Sequence, residues 1–478
     1  MVPDGRGGGR LMRTDLLVDA VDGLDEALAA VDGFDAALVG GLLRPQPGQA
    51  GGLTGLADAV AGTPLASRVA EAAEKTAAGA GDEGHFVALA AARTALLGSV
   101  HDALVARVEE ATGRPATGDT DAVPAGAGAE QAANLLIAAR SWLSDLARAG
   151  WQGIDHELVG GAAPVVSAML PDPALRRLAT LLDGFAAELA ASCPGATLER
   201  VPVRRWADLW SRAVLLTVPG AVSARAADEA TGRLLPLGVD LQEHATAVQA
   251  QVHAVFEPAD GGAARLVRAS VSAPKPDTVV GAGLWQLLRP HMSLLAAVSE
   301  GRSMELDAMP LTGEGDLIWD DTRARAGEPA DAFATARVAL PAAAAFAVAP
   351  LDRHPARIAV PVLLEGYGVE EAEGDGGVVF DVAGCRIAVD TGRVPAAGPL
   401  TPEAVASSGA CLGLLRWDAG AFLLQPLAVE RTVRKKAVAV HAGAWAGGTA
   451  DKAGVRAEKA ATDAVKVLRE RAGKLLRK

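Results

Sequence analysis

Two neighbouring stretches near the middle of the chain constrain it most. In TAVQAQVHAVFE (Thr246–Glu257), Val248, Ala250, Val252, Ala254 and Phe256 alternate strictly with Gln249, Gln251 and His253. A period of two marks a strand, because successive side chains of an extended backbone point to opposite faces. Residues Ala259–Gly262 break the pattern, and RLVRASVSA (Arg265–Ala273) resumes it. Paired as an antiparallel hairpin, the stretches set His253 opposite Arg268, Gln251 opposite Ser270 and Gln249 opposite Ser272. Val252 then meets Ala269 and Ala250 meets Val271. Slipping by one residue would set polar against apolar along the whole ladder, so this register is the expected one. The polar side, Gln249, Gln251, His253 and Arg268, is most simply the wet face of a sheet. As a site it would take a polar or anionic group, with Arg268 as charge partner and His253 titrating.

A chain of 478 residues is too long for one ordinary core, and half of it is apolar. Several units of roughly 100–200 residues each are expected. The pattern predicts an α+β multidomain protein. Residues 1–13 are expected to be disordered, and 14–200 to form an α-helical bundle. Helices are expected near Pro64–Ala78, His85–Thr112, Glu130–Ala149 and Pro173–Ser192, with a Gly/Pro/Thr-rich loop at Thr112–Gly128. Asp15, Asp19, Asp22 and Glu26 have the spacing of one acidic helix face. Residues 201–350 read as an α+β unit carrying the 246–273 hairpin. Residues 351–445 read as a small antiparallel sheet or barrel. Its strands are expected at Arg357–Leu364, Gly377–Val382, Cys385–Asp390, Leu412–Trp417 and Ala421–Arg431, after an earlier one at Asp316–Trp319. In RWDAGAFLL (Arg416–Leu424), Asp-Ala-Gly reads as a turn between two strands. Residues 446–478 read as a basic amphipathic helix, with Ala461, Val465, Leu468, Ala472 and Leu475 as a narrow apolar seam.

Charge is polarised along the chain. From Arg431 onward there are thirteen Lys/Arg against four Asp/Glu, a surplus of nine in a protein of net charge −13. The tail therefore admits nucleic-acid contact through phosphates at Lys435, Lys436, Lys459, Lys466, Arg469 and Lys474, or contact with an acidic protein surface. Three dispersed cysteines, Cys193, Cys385 and Cys411, give no disulfide framework and suit a reducing cytoplasm. No apolar run resembles a signal peptide or a membrane span, so a cytoplasmic protein without membrane contact is expected.

Catalytic patterns fail on nameable residues. His156-Glu157-Leu158-Val159-Gly160 begins like a zinc-protease helix but ends on Gly where the second ligand belongs. Ser272-Ala273-Pro274-Lys275 has a Ser/Lys spacing that needs a helical turn, which Pro274 opposes. Gly281-Ala282-Gly283 lacks the third glycine of a dinucleotide fingerprint. Glu314, Asp316, Asp320 and Asp321 form a carboxylate-rich loop, and Asp352-Arg353-His354 sets acid beside imidazole with no marked nucleophile. No metal site and no cofactor motif emerge.

RRWADLWSRAVLL (Arg204–Leu216) places Trp206, Leu209, Trp210 and Ala213 on one helix stripe. Arg205, Asp208 and Arg212 fall on the other face, spaced for intrahelical ion pairs. The stripe is expected to be a core anchor where helical and strand-rich halves meet, with Trp210 buried. This stretch, with LLPLGVDLQEH (Leu234–His244), resembles uncharacterised actinobacterial proteins encoded beside SWIM zinc-finger proteins, a MoxR-type AAA+ ATPase and von Willebrand factor A proteins. The resemblance spans about 80 residues around 200–275 and implies an accessory subunit of a chaperone-like assembly. The leading expectation is thus a non-catalytic interaction or adaptor protein with a protein partner. The alternatives are nucleic-acid binding by the basic helix, and a hydrolase or ligand-binding enzyme built on His253 and Arg268 or on the Glu314–Asp321 loop.

Overall fold

The computed structural model describes residues 12–115, 130–195, 197–198, 200–219, 221, 227–371, 377–448 and 452–475. Residues 1–11 of the expected disordered segment and 116–128 of the expected loop lie outside them.

The first half is helical: α1 (Asp15–Val18), α2 (Leu24–Gly40), α3 (Pro47–Ala59), α4 (Ala66–Ala77), α5 (Glu83–Thr112), α6 (Glu130–Ala149), α7 (His156–Gly160), α8 (Ala162–Met169), α9 (Arg176–Ala191) and α10 (Val203–Leu216). The single acidic face at Asp15–Glu26 does not form. Asp19 is extended at ψ 139° and Gly23 turns at φ +75°, so two helices flank a break. α3 contradicts its composition, since four glycines within thirteen residues disfavour a helix. Close packing explains one of them: a Cβ on Gly52 would lie 2.3 Å from the Gly33 carbonyl oxygen of α2.

The tryptophan stripe of α10 is core, as its spacing predicts. Trp206 and Trp210 are 1% and 0% exposed. Trp210 Nε1 donates to the Leu143 carbonyl at 2.8 Å, and Trp206 stands edge-on to Trp151 with centroids 5.4 Å apart. Both rings belong to the helical core rather than to the strand-rich half.

The second half holds two sheets. The first is built from β1 (Ala227–Glu243), β2 (Ala247–Pro258), β3 (Arg265–Pro274), β4 (Arg302–Thr312), β5 (Asp316–Leu317) and β6 (Ala324–Pro329), in the order β1-β2-β3-β5-β4-β6. An additional β1–β4 pairing closes five of these strands on themselves. The β2–β3 hairpin has the register read from the alternation: His253 opposite Arg268, Gln251 opposite Ser270, Gln249 opposite Ser272. Short helices α11 (Leu284–Leu287), α12 (Met292–Glu300) and α13 (Ala332–Val338) decorate this sheet.

The second sheet contains β7 (Val360–Glu365), β8 (Gly368–Glu371), β9 (Val378–Val382), β10 (Cys385–Val389), β11 (Ala410–Asp418), β12 (Ala421–Val433) and β13 (Lys436–His441), with α14 (Pro402–Ala406) between β10 and β11. It is antiparallel except at β10–β12, where α14 and then β11 intervene before β12 returns parallel to β10. α15 (Lys452–Leu475) follows and packs beside the turn Gly281–Gly283.

α5 joins the halves. At 30 residues it is about 45 Å long. Its Phe86 and Leu89 pack in the helical core, while Val100, Leu104 and Val108 pack in the cluster that runs through both sheets. Side chains on its C-terminal half are thereby held over the β2–β3 hairpin.

A polar lock ties the two sheets together. Asp240 of β1, 4% exposed, accepts from Gln425 Nε2 at 2.7 Å and from Arg416 Nη2 at 3.0 Å. A buried carboxylate is tolerable only when paired in this way.

Candidate functional site: a cleft between the helical and sheet halves

Two adjoining cavities lie where α5, α9 and α10 meet the first sheet and the segment 345–361. The smaller, about 290 Å³, is lined on one side by His101, Asp102, Val105, Ala106 and Glu109 of α5. Its floor is His253 and Arg268 of the hairpin, and Phe346, Val348 and Ile358 stand opposite. The wider, about 840 Å³, runs along Arg176, Arg177, Thr180 and Gly184 of α9 and Arg205, Leu209 and Arg212 of α10. His101, Arg268, Glu314, Val348 and Arg357 border both, so the two are one continuous cleft.

The hairpin's polar face is divided. Gln251 Nε2 donates to Ser270 Oγ at 3.1 Å on the exposed side, and Gln249 and Gln251 stay outside the cavity lining. His253 is not on a wet face: it is 1% exposed, covered by the packing of the halves. Burial, the nearby Arg268 and then Arg416 push its pKa down to about 3. Its imidazole is neutral at ordinary pH, so it does not titrate there as the sequence suggested. Its Nε2 is fully buried and meets no hydrogen-bond partner. Arg268 is already committed, forming a two-pronged pair with Asp316 (Nε–Oδ1 2.9 Å, Nη2–Oδ2 3.0 Å). It also donates to the Glu314 carbonyl at 3.2 Å.

A second imidazole reaches the cleft from α5. His101, 5% exposed, shares its Nδ1 with Asp102 Oδ1 at 2.9 Å. Asp102 Oδ2 in turn accepts from Arg353 Nη1 at 3.0 Å. Burial lowers the His101 pKa against the opposing pull of Asp102. A ring whose Nδ1 is fixed by a carboxylate presents Nε2 as base or donor. Among the described residues no Ser, Thr or Cys lines the smaller cavity.

Ion pairs within the helical half and between the halves hold the cleft's walls. Asp208 does not pair within its own helix. It meets Arg93 Nη1 at 2.7 Å and His354 Nε2 at 3.3 Å, while Arg205 turns to Glu188. Arg93 is also bidentate to Asp35, both fully buried. Asp352, 11% exposed in its side chain, accepts from Arg177 Nη2 on both oxygens at 3.0 and 2.9 Å and from Arg357 Nη1 at 2.6 Å. Burial would raise the Asp352 pKa, but Arg177 and Arg357 hold it below the usual carboxylate range. The triplet Asp352-Arg353-His354, unassigned in sequence, thus supplies three contacts to the helical half.

The carboxylate-rich loop is split as well. Glu314 and Asp316 reach the cleft, whereas Asp320 bonds Thr322 and Asp321 meets His291 at 3.5 Å. Among the described residues no group of three or more His, Cys, Asp or Glu is arranged to hold a metal ion. Lys435 and Lys436 are exposed at the β12–β13 turn, and Lys459, Lys466 and Lys474 are exposed on α15. The side chains of Arg469 and of the seam Ala461, Val465, Leu468, Ala472 and Leu475 lie outside the described residues. No described helix is long and apolar enough to cross a membrane.

The sequence reading missed Arg177, His101 and Asp102, and took Arg212 for an ion-pair partner within its own helix. Their signal was present only as polar positions on helix faces whose other side is apolar. Comparison with known protein families, with curated proteins and with solved structures finds no match.

Proposed function

We propose that the protein binds a small polar molecule in the cleft between its helical and sheet halves. The observation that carries this is the smaller cavity itself, where His101, His253 and Arg268 converge beside Phe346, Val348 and Ile358. The smaller cavity lies at the low end of the roughly 300–1,000 Å³ typical of small-molecule sites. It combines an apolar wall with a few convergent polar groups, the composition such sites need.

The test is equilibrium dialysis of the full chain against a defined mixture of small polar metabolites, read by mass spectrometry. Ala106 is exposed on α5 and borders the cavity, so Ala106→Phe fills the space without disturbing a core. At least one compound should be retained by the natural chain and released by the variant at an unchanged unfolding midpoint. Retention of nothing, or equal retention by both, overturns the reading.

The three free cysteines support a reducing cytoplasm as the compartment. An adaptor role beside an AAA+ ATPase or von Willebrand A protein is supported by the sequence resemblance, and co-purification tests it.

A further inference from the structure

We propose that the wider cavity is a phosphate subsite built from Arg177, Arg212 and Arg357, and that the cleft's ligand is a phosphate monoester whose organic part enters the smaller cavity. This rests on the ligand-binding reading above and adds the chemical class.

Among the described residues Arg177, Arg212 and Arg357 face Asp352, and the lining of the wider cavity holds six arginines against four carboxylates, a surplus of two positive charges. Arg177 and Arg357 each bond Asp352. Arg212 does not: its Nη1 lies 3.8 Å from Asp352 Oδ1, beyond hydrogen-bond distance, although its side chain is only 19% exposed. A guanidinium carries five N–H donors in a planar fork, and none of those on Arg212 is taken up by Asp352. Phosphate oxygens match that fork and supply the acceptors. The surplus of two charges equals the charge of a phosphate monoester dianion, whereas a single carboxylate would leave one unmet. The patch is local, since the whole chain is acidic at −13. Arg177 and Arg212 come from the helical half and Arg357 from the segment leading into the second sheet, so the bound anion bridges both walls. His101, Arg268 and Val348 border both cavities, giving the rest of the ligand a path toward Phe346 and His253.

Isothermal titration of the full chain with inorganic phosphate and with phenyl phosphate tests this. The natural chain should bind both, the ester more tightly. Arg212→Gln should weaken both by about tenfold or more, the loss expected for a charge-assisted bond. Asp352→Asn should tighten both, because it removes the resident competitor for the same arginines. A mere strut between the halves predicts the opposite, with Asp352→Asn weakening binding or leaving it unchanged at a lowered unfolding midpoint. Arg177→Gln, more exposed at 40%, provides the weakening arm if Arg212→Gln fails to fold. Ala106→Phe should keep phosphate binding and abolish the ester's advantage. No heat with either anion, or equal affinity in the natural chain and both arginine variants, overturns the phosphate subsite. If metabolite retention sensitive to Ala106→Phe persists in that case, the cavity reading stands and only the phosphate assignment falls.

Discussion

Replacing Asp208 with asparagine removes a charge that joins the helical core to the far wall of the cleft. Burial alone would raise this carboxyl's pKa, but His354 and Arg93 outweigh it and pull the value down to about 2. Against an unfolded value near 3.9, nearly two units of depression correspond to about 2 kcal/mol of stabilisation. The side chain is 28% exposed, so little of this is screened by solvent. A depressed carboxyl pKa contributes fully above the unfolded value and is lost as pH falls through the folded one. The natural chain should therefore exceed Asp208→Asn by about 2 kcal/mol at pH 7, and the gap should narrow between about pH 4 and pH 2. Trp206 and Trp210 flank the substitution on the same helix, so urea unfolding followed by tryptophan fluorescence reports it directly. Arg93 keeps its bidentate bond to Asp35, which limits collateral loss. A gap that stays constant down to pH 2, or one below about 0.5 kcal/mol at pH 7, would refute the ionic account of this contact.

Gly52→Ala should destabilise the α2–α3 pair by about 1–3 kcal/mol, seen as a lower thermal midpoint, because the added methyl meets the Gly33 carbonyl. Cys411, 0% exposed with its thiol pKa raised by burial, should stay unreactive toward a thiol reagent until the chain unfolds, while the half-buried Cys385 reacts in the folded state. The nucleic-acid reading is tested by removing residues 452–478. A cut at Arg431 would sever β12, which runs to Val433, and lose β13 as well. Truncation before Lys452 should abolish any steeply salt-dependent binding to duplex DNA, and persistence of that binding would assign it elsewhere.

The hairpin register was legible because both faces of β2 and β3 carry information, polar on one side and apolar on the other. β1 was not, although it is the longest strand. Leu234, Leu235, Leu237, Val239 and Leu241 are all buried, so alternation is lost, and Pro236 and Gly238 sit at a bulge that reads as a breaker. Gly238 is required there, since a Cβ would lie 2.8 Å from Leu427 of the second sheet. On α10 the apolar stripe announced its burial, but the opposite face was misread. Its charges are spaced for each other and yet pair with Arg93, Glu188 and His354. Local spacing offers only a few tenths of a kcal/mol, which any well-placed distant partner outcompetes. The site was half legible for the same reason. His253 and Arg268 stand on one polar ladder, whereas Arg177, Arg212 and Asp352 meet only when the halves close.

The most direct test of the cleft is the histidine-ring nitrogen spectrum of the isotope-labelled chain, recorded with and without the metabolite mixture. His253 and His101 line the cavity, while His156 and His244 lie exposed elsewhere. The account predicts that His253 reports a neutral ring at pH 7, and that His253 and His101 shift on addition while His156 and His244 hold still. A protonated His253 at pH 7, or resonances of His253 and His101 unmoved by the mixture, would contradict it.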